Sequence, residues 1–445
     1  VDLARLFGLG SGAVFDLVLD LGEPSALRRQ KPPPGYYAPA DGEALEAAVA
    51  ELPELVGAFD KPRYFAYDAG ICVHGNRGQK GCTRCLDHCA AEAIRSAGER
   101  IEVDPWLCQG CGSCATVCPT GAISYTAPAG ETLVDDLRAT LRRYREAGGG
   151  RPVVLFHDGE AGAAALAEWG GAMPESVLPF EVEDTGGIGP DAWLSALAFG
   201  AGRVVLAVPP ATPAAERAAT EAELAFAREV LVGLGWPADR LATVIVGADE
   251  SALAEAPQPL VTQPATFAAL GGKRARMRRA ITHLYRQAGA TPPARSLPTG
   301  SPLGAIEVDG DACTLCMACV SVCPPQAVVG GGDTPKLSFR EDRCVQCGLC
   351  ERTCPEDAIR LVPRVDYALH AEPSERLLHQ EPMHHCPRCG KPFASRKMIA
   401  RMEEKLAGHW MFADETARAR LRLCEDCRIE AVMRDEGAID PYRGE

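Results

Sequence analysis

The chain has 445 residues, enough for about three domains of ordinary size, and 47% of them are hydrophobic, yet no apolar run approaches the ~20 residues of a spanning helix. Asp and Glu number 60 against 46 Lys and Arg, a formal charge of -14, which argues against nucleic acid and for solubility or steering toward a basic protein partner. No membrane span is expected, and because the first residues do not make a signal peptide the chain is expected in the cytoplasm; a start at Val1 fits a truncated, a processed or a non-standard beginning alike.

Taken in order, residues 1 to 60 carry little chemistry. Val14 to Leu21 alternates like a half-buried strand, and Gly8-Leu9-Gly10-Ser11-Gly12 precedes that strand instead of following one, so it reads as a turn and not as a dinucleotide fingerprint. Lys31-Pro32-Pro33-Pro34-Gly35-Tyr36-Tyr37 reads as an extended connector, and a helix is expected from about Gly42 to Phe59.

A first cysteine block follows. Cys108, Cys111, Cys114 and Cys118-Pro119 have the spacing C-x2-C-x2-C-x3-C-P, while in the half before them, Cys72, Cys82, Cys85 and Cys89, only the first gap is stretched, to nine residues, the last keeps its three, and Ala90 stands where the proline would. The insert from Val73 to Gly81 is polar and glycine-rich, as a surface loop would be. Cys72 is read as a ligand over a free thiol, because no other cysteine of the chain is left over; His74 and His88 are set aside as outer or solvated groups.

The stretch from Pro119 to Ala312 has no cysteine. An amphipathic helix with Leu133, Val134, Leu137, Leu141 and Tyr144 on one side ends at Gly148-Gly149-Gly150. Strands are then expected at Val153 to Phe156, Val177 to Phe180, Val204 to Val208 and Thr243 to Val246, with helices near Ala161 to Trp169, Asp191 to Phe199 and Thr212 to Leu234. Unbroken apolar strands with helical crossovers imply a parallel sheet covered on both faces. Thr185-Gly186-Gly187-Ile188-Gly189-Pro190, between a strand and a helix, could cradle an anion but matches no nucleotide motif, so a structural turn is preferred and no flavin is expected. Lys273, Arg274, Arg276, Arg278, Arg279 and Arg286 crowd one helix, either as a solvated face or as a docking surface for acidic groups. A Pro-rich linker, Thr291 to Pro302, leads on.

The second block writes the C-x2-C-x2-C-x3-C-P run twice without change: Cys313, Cys316, Cys319, Cys323-Pro324, then Cys344, Cys347, Cys350, Cys354-Pro355. In the tail, Cys386, Cys389, Cys424 and Cys427 form two C-x2-C pairs separated by 34 residues, suited to a closed tetrahedral site for one structural zinc. All 20 cysteines are thereby assigned, which favours metal over disulfides.

The repeated run strongly resembles bacterial 2x(4Fe-4S) ferredoxins, in which three close cysteines hold one cluster and the fourth reaches across to the other. That resemblance implies four 4Fe-4S clusters: Cys72, Cys82, Cys85 with Cys118; Cys108, Cys111, Cys114 with Cys89; Cys313, Cys316, Cys319 with Cys354; and Cys344, Cys347, Cys350 with Cys323. It also implies that Ala93-Ile94, Ala122-Ile123, Ala327-Val328 and Ala358-Ile359 each begin a strand of a small ferredoxin sheet. The order of parts, with Lys61-Pro62-Arg63-Tyr64-Phe65 and Gly81-Cys82-Thr83-Arg84-Cys85, looks like a proteobacterial family of multi-cluster ferredoxin-like proteins often associated with molybdenum formate dehydrogenase, which makes that enzyme the expected partner. The middle domain is similar to the delta subunit of methyl-viologen-reducing hydrogenase at Thr185-Gly186 with Pro190, at Ala198 to Leu206, and from Leu234-Gly235 to Arg240-Leu241, but lacks that subunit's cluster cysteines.

The expected fold is α/β and α+β multidomain: an N-terminal segment (1–60), two 2x(4Fe-4S) ferredoxin-like modules (61–128 and 304–365) flanking a parallel-sheet α/β domain (129–264), a basic helix and linker (265–303), and a C-terminal zinc-knuckle and helical tail (366–445). The expected function is relay of single electrons between a redox enzyme and an acceptor, with no catalytic residue of its own. A non-catalytic assembly or redox-sensing factor for a metalloenzyme and a flavin-dependent oxidoreductase subunit are the alternatives.

Overall fold

The computed structural model describes residues 15–58, 60–169, 173–246, 251–254, 257–289, 294–332 and 334–435; the glycine run at 8–12 and part of the Pro-rich linker lie outside them. The chain divides into two compact units, one made of Val1–His74 and Cys82–Pro298, the other of Gly75–Gly81 and Thr299–Glu445.

The first unit opens with β1 (Val18–Leu19), paired in parallel with β2 (Tyr36–Tyr37). Of the strand expected over 14–21, Val14 lies outside the described residues and only two residues of the rest pair, because Asp20 turns the chain: its carboxylate accepts the amides of Gly22 (2.9 Å) and Ala26 (2.7 Å) and the Tyr36 hydroxyl, leaving Leu21 exposed. The proline connector likewise turns at Gly35 and delivers the tyrosines to that strand. Helix α1 (Gly42–Glu51), capped by Asp41, stops short of Phe59 because Pro53 diverts it into a single tighter turn, Leu52–Leu55.

A small layer of short strands and helices follows. In it β3 (Phe65–Tyr67) pairs antiparallel with β6 (Ile123–Tyr125), a hairpin joins β4 (Ile94–Ala97) to β5 (Arg100–Val103), and two short helices, α2 (Arg84–Asp87) and α3 (Ser113–Val117), lie between. Phe65, Ile94, Ile101 and Ile123 form its apolar core, with cysteine side chains packed around them.

Next come α4 (Gly130–Glu146), β7 (Val153–Asp158), α5 (Ala161–Trp169), β8 (Val177–Val182), α6 (Pro190–Ala198), β9 (Arg203–Val208), α7 (Ala214–Gly233), β10 (Leu241–Ile245) and α8 (Lys273–Gln287). The four strands form one parallel sheet in the order β8-β7-β9-β10. Its central strands β7 and β9 are almost wholly buried, as their unbroken apolar runs require. Helix α6 is buried along its whole length, packed against α4 and α8, with Trp193, Leu194 and Leu197 fully inside.

The second unit repeats the small layer: β11 (Gly304–Val308) pairs antiparallel with β14 (Ile359–Val365), β12 (Val328–Gly330) pairs with β13 (Lys336–Phe339), and α9 (Ala318–Ser321) packs on α10 (Leu349–Thr353). After α11 (Tyr367–Ala371), β15 (Arg376–Gln380) extends the β12–β13 sheet. The tail consists of the hairpin β16 (Met383–His385) and β17 (Pro392–Ser395), then α12 (Arg396–Leu406), α13 (Glu415–Ala419) and α14 (Glu425–Arg434). The polar insert after Cys72 is itself a hairpin, Gly75–Asn76 against Gln79–Lys80, turning through Arg77 and Gly78 at positive φ, and within this unit Lys80 O accepts from Arg352 Nε at 2.8 Å. Among the described residues no helix is long and apolar enough to cross a membrane.

Candidate metal centres

The cysteine loops share a backbone form. The residue three positions after each fourth cysteine, Glu92, Gly121, Gln326 and Asp357, has positive φ, and so do Gly110 and Gly112, Leu315 and Met317, and Gln346 and Gly348 inside the three unmodified C-x2-C-x2-C loops. Such left-handed steps turn successive amide N–H groups into a concave nest that suits a negatively charged cluster. The strands expected after each block begin where the alanine–isoleucine or alanine–valine pairs place them, at Ile94, Ile123, Val328 and Ile359.

The thiols gather in fours, drawn from both halves of each module. Cys72, Cys82, Cys85 and Cys118 line one cavity together with Tyr67, His74 and Pro119, and Cys323, Cys344, Cys347 and Cys350 line another. Cys114 has Cys111, Cys108 and Cys89 as its main charged neighbours, and Cys319 has Cys316, Cys313 and Cys354. A weaker influence crosses between the two sets of each module, Cys85 on Cys114 and Cys319 on Cys350, where α2 meets α3 and α9 meets α10. Cys72, ten residues ahead of its nearest partner in sequence, is brought to its set because His74 is buried, with Nδ1 at 2.8 Å from Cys82 O and Nε2 at 2.7 Å from Ser96 Oγ.

Burial pushes the Cys111 and Cys319 thiols up to about 12, and raises Cys85, Cys114 and Cys350 as well, with neighbouring thiolates adding to the effect at Cys85, Cys114, Cys319 and Cys350. Thiols crowded in this way can become ligands only if a multivalent cation offsets their charge. The amides of Ala93, Ala327 and Ala358 point at Cys89, Cys323 and Cys354 Sγ (3.2, 3.3 and 3.3 Å). Cys118 differs, because Thr120 Oγ1 lies 3.6 Å from its sulfur and takes the Ala122 amide at 3.2 Å. Gln346 Nε2 donates to Cys344 Sγ at 3.3 Å and to Ala305 O at 2.9 Å. These donor sets fit iron–sulfur clusters.

The glycine-rich turn at Thr185 supports one of these loops. Asp184 Oδ1 accepts the Gly186 amide (2.8 Å), Thr116 Oγ1 donates to Gly186 O (2.7 Å), and a Cβ on Gly112 would come within 2.3 Å of Gly187 Cα. The turn therefore packs on the Cys108–Cys114 loop. The basic helix also differs from a uniform solvated or docking face: Arg276 is buried, with Nε and Nη2 both donating to Asp191 Oδ2 (3.0 and 2.8 Å), and Lys273 Nζ donates to the carbonyls of Ala115 (2.9 Å) and Thr116.

In the tail, Cys386 and Cys389 sit on the turn between β16 and β17, and Cys424 and Cys427 at the start of α14. Their four sulfurs lie within 4.8 Å of one another, Cys389 to Cys424 at 3.6 Å, and among the described residues this is the one group of three or more possible ligand atoms so close. A tetrahedral ion with bonds of about 2.3 Å separates its sulfurs by about 3.8 Å, so the quartet is sized for one ion. His384 and His385 lie outside the quartet.

The family described as the 4Fe-4S dicluster domain matches the chain twice, at residues 80–122 and 312–358. The chain carries two ferredoxin-type 4Fe-4S domains, and with them an electron-transfer role. The second match spans all eight cysteines of its block, whereas the first starts beyond Cys72. No curated protein matches the chain. The sulfur contacts of Thr120 and Gln346 were not anticipated from the sequence; both residues stand two positions from a motif cysteine, and that proximity was the only signal available.

Proposed function

We propose that the protein is a four-cluster electron carrier that relays single electrons between a redox enzyme and an acceptor, without catalytic chemistry of its own. The observation that carries this reading is the gathering of sixteen thiols into four sets, two in each ferredoxin-type domain, with the sets of a pair adjacent through Cys85 and Cys114 or through Cys319 and Cys350. In this reading each set holds one 4Fe-4S cluster by crossed ligation, Cys72 included, and the tail quartet holds zinc. The clusters would supply one-electron redox steps. The chain's own part is to exclude water with apolar cores, to orient amide and side-chain N–H groups at sulfur, and to set the spacing inside each pair.

The cytoplasm and a molybdenum formate dehydrogenase are the proposed setting and partner, on the strength of the family resemblance alone. The middle domain supports the cluster of Cys89, Cys108, Cys111 and Cys114 through its glycine turn, as a scaffold without a redox group.

The test is iron, sulfide and zinc analysis with EPR on anaerobically purified protein. About sixteen iron and one zinc per chain are expected; about eight iron would leave one domain without clusters and refute the four-cluster carrier.

A further inference from the structure

The tail is fastened by three separate attachments to the two loops that carry one set of thiols. Ser395, at the junction of β17 and α12 and 2% exposed, donates from Oγ to Thr314 O at 2.8 Å while accepting the Met398 amide at 3.1 Å. Thr314 stands between Cys313 and Cys316. Two residues further, Lys397 Nζ donates to Gly310 O at 2.6 Å, three residues ahead of Cys313. Further along the same face of α12, Arg401 and Lys405, four and eight residues after Lys397, both reach Glu356, at 3.2 and 2.8 Å, two residues beyond Cys354. The attachments thus fall on the loops that carry Cys313, Cys316 and Cys354, three thiols of a single set.

What holds α12 in that place is its own small framework. Strand β17, which runs into the helix, is tied to α14 through the Cys386–Cys427 quartet, where Cys386, Cys424 and Cys427 are buried. The apolar support around the quartet is slight, Phe393 and Leu423 being its partly buried neighbours, so an ion is the strongest tie available there. Lys397 is only partly neutralised, with Glu381 Oε1 at 3.9 Å as its carboxylate neighbour.

We propose that the ion in the tail quartet is a clamp that seats α12 on the Cys313–Cys316–Cys319–Cys354 cluster, and that Lys397, held there, is a positioning charge that raises the reduction potential of that cluster alone. This rests on the four-cluster reading above. Reduction adds one negative charge to the cluster, and a fixed ammonium beside its loop in a partly buried setting favours the reduced form more than water would.

The experiment is an EPR-monitored redox titration of the full chain, with iron and zinc counted on each preparation. In Lys397→Gln, with the quartet and its zinc unchanged, one midpoint potential of four moves down and the other three stay. Lys397→Arg restores it. In Cys389→Ser the zinc is lost and the same midpoint moves in the same direction, with iron retained. Four unshifted potentials in Lys397→Gln, or four shifted together, overturn the proposal, as does a Cys389→Ser chain that loses zinc while that midpoint stays in place. Iron far below sixteen in the parent chain overturns instead the reading on which the clamp depends, so the two failures are distinct.

Discussion

Single side chains reach the cysteine sulfurs of the cluster blocks. Gln346 is the clearest case: its amide bridges Cys344 Sγ and Ala305 O, and a Cβ on Gly304 would lie 2.4 Å from its side chain, so the glycine is needed for the glutamine to fit. Replacing Gln346 by Leu removes one N–H···S contact, and the midpoint potential of one cluster is expected to fall while iron content is unchanged, as read by redox titration. Cys72→Ser tests the proposed ligand that the family match does not reach; the expected outcome is loss of one iron or more from the first domain, with a changed EPR signature from a single cluster. Asp184 gives a pH test. Burial raises its carboxyl to about 6, against the Gly186 amide that favours the anion. Its folded pKa lies above its unfolded one, so this group's contribution to stability falls as pH rises from about 4 to 6 and stays lost above that. Asp184→Asn should therefore stabilise the protein by up to about 3 kcal/mol above pH 6 and by little at pH 4, measured as the pH dependence of the difference in melting temperature.

Elements were legible to the degree that their signal is local. The helix holding Leu133 to Leu141 and the four apolar strands of the middle sheet follow from periodicity, the strand starts after each cysteine block from the ferredoxin resemblance, and all appear within a few residues of where they were expected. What local pattern does not carry is a partner far away in the chain. On α8, Lys273 and Arg276 look like surface charge, yet Arg276 meets Asp191 across 85 positions and lies inside, while Lys273 reaches the carbonyls that precede Cys118. The glycine turn at Thr185 was ambiguous for the same reason, since its tight neighbour is the Cys108–Cys114 loop. Arg276→Ala leaves Asp191 buried without its counter-ion and should cost about 3–5 kcal/mol, whereas removing both charges with Asp191→Leu and Arg276→Met should cost much less, a double-mutant comparison readable by chemical denaturation.

At the scale of the whole molecule the charge of -14 governs encounters. Electron transfer to a basic redox protein used as a surrogate acceptor is expected to slow steeply between low and physiological ionic strength, because the Debye length shortens to about 8 Å, while transfer to a small neutral dye stays constant; stopped-flow measurement separates the two.

The left-handed steps of the cysteine loops also bear on how long the protein lasts. Six of them fall on residues with side chains, Glu92, Leu315, Met317, Gln326, Gln346 and Asp357. At about 1–2 kcal/mol each they amount to roughly 6–12 kcal/mol, as much as the net stability of an ordinary domain. Without clusters to stabilise them, those loops are expected to open, and limited proteolysis of cluster-depleted protein is expected to cut within them while the cluster-loaded chain is spared. Resistance of those loops to a protease would thus report on cluster occupancy.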